Sequence, residues 1–229
     1  MDESMQLAVI ARIQSDFTTK FGIPRQSGLA PSLRSTVIFE PAYRDANALR
    51  GLEDYSHIWL LWGFSKIEEP RFSPMVKPPR LGGNKRMGVF ATRSPFRPNP
   101  IGLSSVRLEG MEAKRGLGTV LYISGADLMD GTPIYDIKPY LSFTDSHPDA
   151  QNGFAGAQYA HALAVVFDPR LLSLIPEQKR AALIESLEQD PRPAYQDDPD
   201  TPYGFEFAGF DVRFRVREDV LTVFEVVKL

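Results

Sequence analysis

Met87-Gly-Val-Phe-Ala-Thr-Arg-Ser-Pro-Phe-Arg-Pro-Asn-Pro-Ile-Gly-Leu-Ser-Ser-Val-Arg-Leu108 shows the texture on which the whole chain is built. Two β-prone segments, Met87–Thr92 and Leu103–Leu108, flank a loop that carries prolines at 95, 98 and 100. Each proline fixes its own φ and pushes the residue before it toward an extended conformation. The backbone around Arg93, Phe96, Arg97 and Asn99 therefore has few alternatives. A stiff loop held between strands is where binding groups usually sit.

The same texture extends outward on both sides. Short runs at Leu7–Ile13, Ser35–Phe39, His57–Phe64, Thr119–Ser124, Pro133–Ile137 and His161–Phe167 read as strands, separated by Gly, Pro and Asp/Asn punctuation. Gly116-Leu-Gly118 reads as a hairpin turn, and a short helix is expected at Asp45–Leu52, with Asp45 as its cap and Gly51 as its stop. Many short strands without long helices between them favour a closed barrel or a sandwich. After Asp168-Pro169 the pattern changes. Pro176–Asp190 is rich in helix formers with Leu183, Ile184 and Leu187 as an apolar stripe, and a polar connection then leads to the hairpin Phe210–Arg217 and Val220–Val227. The expected fold is mainly β: a single-sheet β-barrel domain over residues 1–167 and a small α+β domain over residues 168–229.

Charge is unevenly placed. Residues 70–108 hold eight basic side chains (Arg71, Lys77, Arg80, Lys85, Arg86, Arg93, Arg97, Arg107) and no acidic one, leaving 18 basic against 29 acidic groups in the rest of a chain of net charge −3. A polyanion is the natural partner of such a stretch. The three arginines of Phe210–Arg217 (Arg213, Arg215, Arg217) either grip phosphates or keep an edge strand soluble, and the second reading is favoured.

Other chemistries are excluded or disfavoured. Zero cysteines rule out disulfides, thiolate metal sites and a Cys nucleophile. His57, His147 and His161 are too scattered for a histidine metal site, so no metal is expected. No P-loop, Gly-x-Ser-x-Gly or complete dinucleotide glycine fingerprint is present. An acidic N-terminus and the lack of a long apolar run point to a cytoplasmic protein with no membrane partner.

Two further segments carry polar groups. Asp130-Gly-Thr-Pro133 is a tight turn beside Asp127, Asp136 and Lys138, and the last two share strand parity and project to one face. An ordinary Asp136–Lys138 ion pair and a site role are equally good readings at this point. Ser56-His57 stands at the entrance of the apolar strand that follows it.

With Ser56-His57, Pro78-Pro-Arg-Leu-Gly-Gly-Asn84, Gly88–Gly102 and Asp130–Tyr140 in hand, the chain strongly resembles the TrmO (TsaA-like, YaeB) family, and the likeness runs from Ile13–Phe17 to Gln189–Tyr195 and the basic hairpin. The resemblance implies an S-adenosylmethionine-dependent methyltransferase on a β-barrel, acting as a homodimer on the N6 of threonylcarbamoyladenosine beside the anticodon of tRNA. It also implies cofactor contacts at Ser15, Asp16, Phe17, Ser56, His57, Arg93, Leu103, Asp130, Gly131, Thr132 and Pro133. Relatives often carry Pro where this chain has Asp16. Methylating that nitrogen requires an acceptor for its proton, and Asp130 or Asp136 is the candidate. Arg93 and Arg97 suit the threonyl carboxylate or a phosphate through forked hydrogen bonds, with Asn99 and Lys138 as further substrate contacts. Two rivals remain: a non-catalytic RNA- or nucleotide-binding barrel, and a small-molecule methyltransferase on the same scaffold.

Overall fold

The computed structural model describes residues 5–64, 71–78, 85–156, 162–192 and 198–229. Its strands are β1 (Ala11–Gln14), β2 (Arg34–Phe39), β3 (His57–Gly63), β4 (Met75–Val76), β5 (Met87–Gly88), β6 (Ile101–Lys114), β7 (Gly118–Ser124), β8 (Pro133–Pro139), β9 (Ala164–Phe167), β10 (Tyr203–Phe207), β11 (Phe210–Arg217) and β12 (Val220–Lys228). Six of them form an antiparallel sheet in the order β1-β2-β7-β6-β3-β8, and β8 pairs back onto β1 through Ala11↔Ile134 and Arg12↔Pro133, which closes the ring. Closure leaves no free edge.

Alternation along the strands fills the interior. In β1 Ala11 and Ile13 are buried while Arg12 and Gln14 are exposed, and in β6 Gly102, Ser104, Val106 and Leu108 turn inward while Ile101, Leu103 and Arg107 face out. Val37, Ile58, Leu60, Leu121, Ile123 and Ile134 complete an apolar core. The β6 strand runs well beyond the expected Leu108. Glu109-Gly110, which reads as a breaker, is taken up as a bulge between Leu108 and Gly110, and pairing with β7 continues to Lys114↔Gly118.

Three other expectations are corrected. Residues 45–54 do not form one α-helix but two short 3-10 turns, Ala46–Leu49 and Leu52–Asp54, separated at Gly51 with φ 87°; Asp45 does cap the first, its side chain accepting from the Asn47 N–H. The expected strand Met87–Thr92 ends at Gly88, because Val89–Ala91 turns and the Thr92 hydroxyl donates to the Val89 carbonyl. The strand expected to complete the barrel near residue 167 belongs elsewhere: β9 pairs in parallel with β12. The barrel is already closed by β8, and the helix Glu177–Glu188 lies in the connection that a parallel pair requires. His161, the start of that expected strand, lies outside the described residues, as do Arg80 and residues 79–84 and 193–195 of the sequence motifs.

The second sheet has the order β10-β11-β12-β9. Its inner face packs Phe205, Phe207, Phe214 and Leu221 against Leu183 and Leu187 of the helix. Phe17, Ala30 and Leu33 join the same core although they precede β2. The Phe17 ring meets Phe207 edge-on at 5.2 Å and Phe205 at 5.9 Å, so the first loop of the barrel is stitched into the other unit. On the outer face Arg213 pairs with Asp211 and Glu225, Arg217 pairs with Asp200, and Arg215 lies 4.7 Å over the Phe224 ring.

Candidate active site

The site is built at the end of the barrel where β1 finishes and β8 begins. Residues 13–17 and 129–133 are more than a hundred positions apart in sequence, yet main-chain bonds zip them together: Gly131 N–H donates to the Ile13 carbonyl at 2.8 Å, Ile13 N–H to Thr132 at 3.2 Å, and Asp130 N–H to Phe17 at 2.8 Å. The Ser15 N–H in turn donates to Asp130 Oδ1 at 3.0 Å. Gly131 sits at φ 74°, where a side chain would be strained, and the buried Thr132 hydroxyl donates to the Met129 carbonyl at 2.7 Å. Ser15, Asp16, Phe17, Asp130, Gly131, Thr132 and Pro133 are therefore brought together. Their roles differ, however. The Phe17 side chain points into the second core, leaving its main chain at the site, and Asp16 Oδ2 is taken by Lys179 Nζ at 2.5 Å.

A second cluster joins the end of β3 to the start of β6. Trp62 Nε1 donates to Ser104 Oγ at 3.0 Å, and Ser104 Oγ donates to Asp127 Oδ1 at 2.6 Å. Burial pushes the Asp127 carboxyl above the ordinary carboxylate range, against the opposing pull of Ser104, the Ser27 main chain and the Arg93 charge. Arg93 reaches this cluster from the proline-rich loop and donates through Nη1 to Gln26 Oε1. Arg97 folds back to donate to the carbonyls of Thr92 at 3.0 Å and Ser94 at 3.3 Å, so part of its fork pins the loop; Asn99 is exposed at the loop's far side. Nothing in the sequence joins Asp127, Ser104 and Gln26 as one group. Asp127 is legible only as a member of an acidic turn, and nothing in Gln26 or Ser104 distinguishes them before the fold joins them.

The remaining candidates lie on the outer face of β3, β6 and β8. Leu103 is exposed opposite Leu61, which pairs across with Asp136, and Asp136 Oδ2 accepts from Lys138 Nζ at 3.0 Å while its Oδ1 accepts from the Ile137 N–H. The shared face of Asp136 and Lys138 is thus present, as an ion pair. Ser56 and His57 are hydrogen-bonded to each other at 2.9 Å, but His57 pairs with Arg107 whereas Gly63, at the other end of β3, pairs with Ile101. Six residue steps at about 3.3 Å each put them roughly 20 Å along the strand from the end that carries the proline-rich loop. Within one chain the two ends do not meet.

A cleft of about 430 Å³ opens beside the zipped segment, where the barrel's outer wall faces the helix Glu177–Glu188; Gln14, Ser15, Asp16, Arg34, Tyr122 and Lys179 are among its lining residues. Among the described residues no three His, Cys, Asp or Glu side chains gather as a metal site, and no helix is long and apolar enough to cross a membrane.

The family model described as the tRNA-methyltransferase O N-terminal domain matches residues 12–146, and the TrmO C-terminal domain matches residues 160–229. The chain belongs to the TrmO family. Among TrmO relatives, the Escherichia coli K12 protein named tRNA (adenine(37)-N6)-methyltransferase is 43% identical, over 96% of this chain and 97% of its own length. A Pseudomonas aeruginosa protein provisionally named S-adenosylmethionine-dependent methyltransferase RcsF is 46% identical over 95% of both chains. A crystal structure of TrmO from Pseudomonas aeruginosa superposes with a TM-score of 0.80 at 37% identity, covering 100% of this chain and 99% of that one.

Proposed function

We propose that this chain is an S-adenosylmethionine-dependent methyltransferase that acts on N6 of threonylcarbamoyladenosine beside the anticodon of tRNA, and that it works as a cytoplasmic homodimer. Near-full-length identity to a tRNA (adenine(37)-N6)-methyltransferase supports the reaction class. The observation that carries the reading to this chain's own residues is the zipped pair of segments, Ser15–Phe17 and Asp130–Pro133, at the barrel end. Their chemistry suits a cationic cofactor. Asp130 is exposed, one of its oxygens fixed by the Ser15 N–H and the other without a partner among the described residues, so it offers negative charge in a held orientation.

The cofactor supplies a methyl group on a sulfonium. The chain's task is then positioning and proton removal. Of the two carboxylates expected to take the N6 proton, Asp136 is engaged by Lys138 and the Ile137 N–H on the outer face, whereas Asp130 stands in the zipped segment; Asp130 is the acceptor in this reading. Arg93, oriented by Gln26 and the Asp127 charge, holds a substrate anion, with Arg97, Asn99 and Lys138 contributing further out.

The tRNA face is the proline-rich segment. Phe72, Phe90 and Phe96 are 53%, 73% and 44% exposed among Arg71, Lys77, Lys85, Arg86, Arg93 and Arg97, an interleaving of rings and cations that suits unstacked bases and phosphates. A homodimer accounts for the split on β3: packing the exposed face that carries Ile101 and Leu103 against a second copy brings that copy's Ser56-His57 pair toward the cofactor end. The two units divide before Leu163, since β9 completes the second sheet.

Arg93→Ala tests the reading against a purely binding protein. The methyltransferase reading expects turnover to fall by two orders of magnitude or about that, the scale of a lost charge-stabilising donor, while tRNA affinity falls less than tenfold. Weaker, strongly salt-dependent tRNA binding, with no turnover in the parent or the variant, is the outcome for a binder.

A further inference from the structure

The three residues Ser15-Asp16-Phe17 face two ways. The main-chain groups of Ser15 and Phe17 bond to Asp130, on the barrel side. The Asp16 side chain, the Asp16 carbonyl and the Phe17 ring all engage the C-terminal unit: Lys179 Nζ donates to Asp16 Oδ2 at 2.5 Å, the Ala208 N–H donates to the Asp16 carbonyl at 2.9 Å, and Phe17 packs on Phe205 and Phe207. One residue on, Thr18 Oγ1 donates to Glu206 Oε2 at 2.5 Å. The Asp16–Lys179 pair is not an ordinary surface contact. Its side chains are only 15% and 28% exposed, and both line the cleft beside the zipped segment.

Covered ion pairs of this kind are directional. Each partner has given up much of its hydration, so removing one leaves the other charge without compensation, and the chain moves to rehydrate it. Packing of Phe17 fixes the depth of the loop and the Ala208 N–H holds the Asp16 carbonyl, while Lys179, on the helix Glu177–Glu188, fixes the direction in which the Asp16 side chain points. With Asp16 fixed, the neighbouring Ser15 N–H is presented to Asp130.

We propose that Lys179 is a positioning residue: acting through Asp16, the C-terminal unit sets the conformation of the Ser15–Phe17 loop and thereby the affinity for S-adenosylmethionine. This rests on the reading that Ser15–Phe17 line the cofactor site. The C-terminal unit is then part of the catalytic apparatus without touching a reacting atom.

The test uses the full chain with Lys179→Met and the conservative Lys179→Arg. Three quantities are read on one preparation: S-adenosylmethionine affinity by calorimetry, tRNA affinity at fixed salt, and amide hydrogen exchange across residues 13–18. Lys179→Met is expected to weaken cofactor binding by about tenfold and to speed exchange at Ser15 and Phe17, with tRNA affinity unchanged, and Lys179→Arg is expected to restore both. Unchanged exchange in Lys179→Met overturns the latch itself. Faster exchange with unchanged cofactor affinity overturns the assignment of the loop to the cofactor site, and the inference with it. Lys179→Gln, which removes the charge and keeps a polar side chain, gives the same readings if Lys179→Met does not fold.

Discussion

Phe17→Ala probes how the two units are joined. Phe17 is fully buried in the second core but belongs by sequence to the loop leaving β1, and it makes two ring contacts, at 5.2 Å with Phe207 and 5.9 Å with Phe205. Truncating a buried Phe removes its transfer free energy and leaves a cavity, together costing about 3–5 kcal/mol, and the lost ring pairing falls within that range. In a chain of this size each kcal/mol moves the melting temperature by about 2–4 °C, so a fall of roughly 10 °C is expected. The two tryptophans, Trp59 and Trp62, both lie on β3, so their fluorescence reports the barrel, while far-ultraviolet circular dichroism reports both units. If Phe17 stitches the units into one cooperative structure, both signals shift together. A melting temperature within about 2 °C of the parent would refute the packing argument, and a shift in dichroism with unmoved fluorescence would refute the coupling.

Two other substitutions follow from local geometry. A Cβ at Gly102 would lie 2.2 Å from the Trp62 ring, so Gly102→Ala forces a rigid indole out of place and disturbs its bond to Ser104; a loss of about 3 kcal/mol is expected in urea unfolding, and a parental midpoint would contradict it. Asp127 has a folded-state pKa raised above 3.8, chiefly by burial, so the folded protein binds that proton more tightly than the unfolded chain and loses stability as pH rises from the unfolded value through the folded one. Asp127→Asn removes that penalty while keeping an acceptor for Ser104, so the variant should be more stable than the parent at pH 7, with the difference vanishing below about pH 4. Denaturant midpoints across that range check the sign, and a variant less stable at pH 7 would contradict it.

Much of the barrel was legible because strand alternation and turn chemistry are local. β2, β3, β7 and the β11–β12 hairpin fall within a residue or two of the expected segments, and the helix Glu177–Glu188 starts after Pro176 as its composition requires. The misses come from long-range pairing. Gly110 reads as a stop until β7 offers a partner that tolerates a bulge, and β9 reads as a barrel strand because its partner β12 lies more than fifty residues further on. β10, Tyr203–Phe207, is short and carries Gly204, so its sequence signal is weak beside that of the more strongly alternating β11. The same limit applies to the site. The turn at Asp130–Pro133 and the proline-rich loop announce themselves by composition, but that Asp16 meets Lys179, or that Asp127 is held by Ser104 and Trp62, depends on residues whose types are unremarked until the fold joins them.

Whether the chain methylates this base is decided by incubating it, purified, with S-adenosylmethionine and tRNA bearing unmethylated threonylcarbamoyladenosine, digesting the RNA to nucleosides, and weighing that nucleoside by mass spectrometry. A gain of one methyl group that requires both cofactor and enzyme, and that Asp130→Ala abolishes, is expected. An unchanged nucleoside, from a preparation shown to bind the cofactor, would contradict it.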